Sequence, residues 1–73
     1  MKKMVLAKAK FYAKKIYDLE QELNITKDLK ETNKIMSKIQ DIVDEICEVY
    51  EPTAMYKVDE QVYELDKKNK AKS

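Results

Sequence analysis

Cys47 is the only thiol in this 73-residue chain, and no histidine is present to activate it. A cysteine nucleophile needs a neighbouring base or a cationic setting that lowers its pKa. Cys47 instead lies on the border of an apolar helical stripe, so it reads as a structural thiol. Metal chemistry has little to work with. Zinc sites draw on Cys and His in combination. Asp41/Glu45 and Asp44/Glu48 are acids at i,i+4 spacing, but without a rigid oxygen cage such pairs read as a solvated face. Glycine is absent, which removes any phosphate-cradling loop. The expectation is therefore no catalytic residue, no metal, no cofactor and no small-molecule substrate.

Two charged surfaces remain as candidates. Lys2, Lys3, Lys8, Lys10, Lys14 and Lys15 meet no acid before Asp18. Clustered cations with Phe11 and Tyr12 among them suit phosphate and base stacking. However, arginine is missing and no recognised nucleic-acid-reading motif is present. Asp41, Asp44, Glu45 and Glu48 centre on the outer side of a second helical segment and form an acidic counterpart.

The residue pattern indicates the elements that carry these groups. Val5, Ala9, Tyr12, Ile16, Leu19 and Leu23 follow a 4-3-4-3-4 spacing, and Thr32, Ile35, Ile39, Ile42, Ile46 and Val49 a 3-4-3-4-3 spacing. Both are helical stripes. They are out of phase by two residues, a rotation of about 200° on one continuous helix. A turn near residues 24–27 resolves the conflict. Asn24 is a candidate C-terminal cap, and Thr26 or Asp28 a candidate opening for the next helix. The expectation is an antiparallel hairpin of helices 3–24 and 27–50.

After Pro52, Met55, Val58, Val62 and Leu65 have 3-4-3 spacing, with i,i+4 pairs Glu64/Lys68 and Asp66/Lys70. This predicts a shorter third helix over 53–68. The rivals are a β-hairpin of Met55–Val58 with Val62–Leu65, or disorder until bound. Residues 1–66 then form one small domain and 67–73 a lysine-rich flexible tail. Ser37-Lys-Ile-Gln-Asp41 resembles the motif of small sporulation aspartyl-phosphate phosphatases only in its Ser…Asp spacing, so that activity is not carried over.

Charge is arranged in blocks. Residues 1–17 hold six lysines and no acid, residues 18–66 all 14 acids with five lysines, and residues 67–73 four lysines. The first two helices both oppose their own macrodipoles, which is unfavourable for exposed charges. Antiparallel pairing offsets this by bringing the basic start of the first helix beside the acidic end of the second. Lys8 and Lys15 are placed to answer acids on the returning helix, while Lys10, Lys14 and Phe11 point elsewhere.

Each apolar arc spans about 160°, more than one neighbouring helix covers. A chain this short buries a modest core and, with one cysteine, has no internal disulfide. The expectation is an all-α fold completed by homodimerisation into a helical bundle. No 18-residue apolar run is present, so a cytoplasmic protein without a membrane span is expected. The lysine-rich, arginine-free usage suggests a low-GC bacterial or phage source. The expected function is non-catalytic protein binding by a small regulator or inhibitor, with a lysine-based nucleic-acid binder as the alternative. The expected contact residues are Met4, Lys10, Phe11, Lys14, Asp41, Asp44, Glu45, Glu48, Tyr56 and Tyr63, facing a protein partner not identified by sequence.

Overall fold

The computed structural model describes residues 2–72, with side chains through Lys70. It is all-α: α1 is Leu6–Ile25, α2 is Leu29–Val49 and α3 is Ala54–Lys72. The phase break between the stripes falls at a short link. Thr26, rather than Asn24, closes α1, its hydroxyl donating to the Glu22 carbonyl at 2.6 Å. Asp28 opens α2 by accepting from the Lys30 backbone N–H at 3.1 Å. This satisfies one of the amides that a helix start leaves without an intrahelical partner. Pro52 follows the Tyr50 cap, where a ring in place of an N–H cannot continue α2.

The last third is helix, not a β-hairpin. α3 runs to Lys72, past the 53–68 read from the pattern, and is nearly as long as its neighbours. Residues 67–72 therefore continue the helix, and Ser73 lies outside the described residues.

The N-terminus also departs from expectation. Helix does not begin at residue 3. Residues 2–5 stay extended and lie across the α2–α3 junction. Lys2 N–H donates to the Val49 carbonyl at 3.2 Å, and Glu51 N–H donates to the Lys2 carbonyl at 3.0 Å. The Lys57 ammonium donates to the Met4 carbonyl at 3.1 Å. This strap drives Met4 into the core, leaving it 2% exposed.

α1 is the central element. It packs most extensively on α3 and less on α2, while α2 and α3 meet least. Met4, Ala9, Tyr12, Ala13, Ile16, Ile46, Ala54 and Val58 form the core. Ala9 and Ala13 are fully buried, and their small side chains let neighbouring helices approach closely. The sequence reading made the α1–α2 hairpin the main contact. The α1–α3 face dominates instead, because Ala13 and Tyr17 extend the buried arc of α1 towards α3.

The three helices are spread out rather than closed. The backbone measures 38 × 30 × 13 Å. Three helices packed in a triangle about 9 Å apart would be only about 14 Å across. The radius of gyration is 13.0 Å, against roughly 11 Å for a compact domain of this length.

Candidate protein interface

The opening between helices falls on α2. Ile35 and Ile46 are the buried residues of this helix. At 100° per residue, Thr32, Ile39, Val43, Met36, Leu29 and Cys47 occupy the adjoining flank. Thr32, Ile39 and Val43 are half-buried, and Cys47 is exposed. Met36 is 54% exposed and Leu29 is 73% exposed. From Leu29 to Cys47 this stripe is about 27 Å long at helical rise. Ile25, the last residue of α1, is 81% exposed.

Accessible area points the same way. The chain exposes 5666 Å² at 8.7 kDa. A folded monomer of that mass exposes about 4,700 Å². The excess of roughly 900 Å² belongs to the whole chain and reflects how far its helices are spread.

The site residues read from sequence fall into separate places. Met4 is not a surface contact, since the strap buries it. Phe11 is half-exposed without Met4 beside it. Lys8 Nζ lies 4.8 Å and Lys15 Nζ 4.6 Å from the Phe11 ring centroid. These lysines therefore flank an aromatic face, a favourable cation–π arrangement, instead of answering α2 acids. Lys10 and Lys14 do not lie on a free outer face. With Gln61, Glu64, Leu65 and Lys68 they line a groove between α1 and α3. Lys14 also pairs with Asp18 at 3.0 Å.

The acids of α2 are partly engaged. The Tyr12 hydroxyl donates to Glu45 Oε2 at 2.8 Å. Burial first, then the Glu45 carboxylate and the Tyr50 ring hydroxyl, push the Tyr12 phenol far above its ordinary value. Tyr12 also packs edge-on to Tyr50, with centroids 6.1 Å apart. Gln40 donates to Asp44 at 2.8 Å. Asp41 shares a groove with Lys15, Asp18, Leu19, Lys38 and Ile42. Glu48 is exposed. The α1 contact with an α2 acid is thus the neutral Tyr12 hydroxyl on Glu45, a hydrogen bond and not the lysine–carboxylate pairing expected from the charge blocks. The ion pairs Lys14–Asp18 and Lys70–Asp66 are local i,i+4 contacts.

Tyr56 and Tyr63 are 76% and 63% exposed, and Lys67 Nζ is 6.0 Å from the Tyr63 centroid. Beside Tyr63, Glu20 of α1 approaches Asp59 and Asp66 of α3 in one open groove. Burial, then Asp66 and Asp59, raise the Glu20 pKa above the usual carboxylate value. Sequence reasoning missed this cluster because it arises only when α3 docks on α1. The Leu29–Met36–Val43 spacing was visible, but which part of the arc stayed uncovered was not.

Among the described residues, no group of three or more Cys, Asp or Glu side chains is placed to hold a metal ion, and no helix is long and apolar enough to cross a membrane. Comparison with protein-family models, curated proteins and solved structures gives no match.

Proposed function

We propose that this chain is a non-catalytic helical protein-binding module. It acts as a small regulator or inhibitor through protein–protein contacts and works as a homodimer. The observation that carries this reading is the spread arrangement of the helices, which leaves the apolar flank of α2 with Met36 and Leu29 exposed. Phe11 between Lys8 and Lys15, and the exposed Tyr56 and Tyr63, offer aromatic contacts of the kind that dominate binding energy.

The test is affinity capture from the source organism with wild type and with a Phe11→Ala/Tyr63→Ala variant. A protein other than the chain itself, retained by wild type and lost from the variant, supports the reading. No difference between the two baits counts against it.

A second reading is nucleic-acid binding through lysine. Lys10, Lys14 and Lys68 lining one groove favours it, and Glu64 in the same groove opposes it. Titrating labelled duplex and single-stranded DNA and RNA at two salt concentrations separates the two. Salt-sensitive binding reduced by Lys10→Glu/Lys14→Glu supports the second reading.

A further inference from the structure

We propose that the lysine face of α1, joined by Lys68 of α3, binds single-stranded nucleic acid through its phosphates and without regard to base sequence. This rests on the second reading above and names its ligand and its contacts. Around α1, Lys10, Lys14, Phe11, Lys15 and Lys8 follow one another over an arc of about 160°. They lie within about 10 Å of helix length. The four lysines are exposed, and Phe11 is 48% exposed. Lys10 and Lys14 border the same groove as Lys68. The face belongs to the N-terminal half of α1, whose first turn carries no acid. The positive end of the helix dipole therefore adds to the lysines. Two acids lie within this surface, Asp18 paired with Lys14, and Glu64. Against them stand five lysines. Towards α2 the face ends at Asp41 and Glu45, so an anionic strand is steered along the α1–α3 side.

Magnitude selects the occupant. An exposed lysine–carboxylate pair contributes little, and a protein partner needs a buried apolar core to offset the cost of association. The arc offers one ring among four lysines. A polyanion needs no such core, because each phosphate that a lysine neutralises releases condensed counterions. Shape then selects the single strand. α1 lies in the middle of a layer 30 Å wide, which cannot enter a duplex major groove about 12 Å across. A single strand can follow the α1–α3 groove and turn a base onto Phe11. Lys8 and Lys15, 4.8 and 4.6 Å from the ring centroid, then exchange a weak ring contact for the phosphates on either side of that base.

The probe is a labelled deoxythymidine oligonucleotide of about 20 nucleotides. Anisotropy at about 20 mM salt should show the full chain binding it more tightly than a duplex of the same length. The logarithm of affinity should fall against that of salt with a slope of about −3, as for about four phosphate contacts. Lys10→Gln/Lys14→Gln should bind on the order of 10-fold more weakly and flatten the slope by about 1.4. Lys27→Gln/Lys30→Gln makes the same change in net charge beside the other end of α1 and should leave binding unchanged. Phe11→Trp supplies the one tryptophan of the chain, and the oligonucleotide should quench its emission. All these positions are exposed, so the variants should keep the helical circular dichroism of wild type.

Binding unaffected by Lys10→Gln/Lys14→Gln, or binding without quenching in Phe11→Trp, overturns this site. A duplex bound as tightly as the single strand overturns the single-strand assignment and leaves the lysine-based reading standing. Displacement of the oligonucleotide by an equal charge of poly-L-glutamate overturns the proposal in favour of an acidic polypeptide. Absence of binding to either nucleic acid overturns the proposal and the second reading together.

Discussion

Replacing Tyr12 with Phe isolates one interaction between α1 and α2. The ring stays, and with it the edge contacts to Phe11 and Tyr50 at 5.6 and 6.1 Å. What is lost is the 2.8 Å bond to Glu45. A hydrogen bond to a charged group is worth about 1.5–3 kcal/mol. Glu45 is exposed and regains water when released, so the expected loss is about 1 kcal/mol. The pH dependence makes the test sharper. The folded phenol titrates well above its ordinary 10.0, with burial as the largest cause and Glu45 next. A raised folded pKa contributes stability in full below the unfolded pKa. That stability is lost as pH rises towards the folded value, because only the unfolded chain ionises in that window. At pH 8 wild type should exceed Tyr12→Phe by about 1 kcal/mol. Ionisation of unfolded Tyr12 costs wild type about that much near pH 10.6, where the two stabilities should cross. Urea titrations followed at 222 nm between pH 8 and 11 measure both. A constant difference across that range would refute a neutral phenol clamped on Glu45.

Other consequences follow from single contacts. Ile46→Ala removes a fully buried side chain and should cost about 3 kcal/mol, a large share of the stability of a domain this small, read from chemical denaturation. Met4→Ala should cost about 2 kcal/mol in the same assay, although sequence alone would rank position 4 as a tolerant surface site. Glu20→Gln should stabilise the chain at neutral pH by about 0.5 kcal/mol, a figure kept small because the carboxylate is largely exposed. The raised folded pKa of Glu20 means its charged form is penalised above that value and the penalty disappears below the ordinary 4.5. The Glu20→Gln gain should therefore vanish in melts at pH 3.5, and a gain that persists there would assign it to something other than charge.

Much of the fold was legible because helical periodicity records burial. Ala9, Tyr12 and Ile16 on one stripe, Ile35 and Ile46 on another, and Val58 on a third are all buried. Their phase break pointed to a turn near residues 24–27, and the link falls at Thr26–Asp28. Periodicity gives the direction of a face but not which neighbour covers it. Lys10 and Lys14 look outward on a two-helix drawing and border a groove once α3 takes its place. Val5 and Leu6 continue the first stripe yet are exposed, since the strap puts Met4 where the stripe would have put them. Backbone pairing between residues 2 and 50 uses only main-chain groups, so it leaves no mark on residue type. The candidate contact residues divide the same way. Exposed aromatics such as Tyr56 and Tyr63 were readable from pattern, whereas the Glu20–Asp59–Asp66 cluster needed the packing of α3.

The strap has its own kinetics. It is held by a few hydrogen bonds and one buried side chain, and Lys2 and Lys3 on it are exposed. Segments held this lightly open in small excursions that leave the helices intact. The Lys2 and Glu51 amides should then exchange with deuterium well before those of Ile46 and Val58. The same excursions carry the Met4 thioether from the core into solvent. Peroxide converts an accessible thioether to the sulfoxide, so Met4 oxidation in folded protein becomes a chemical clock for strap release.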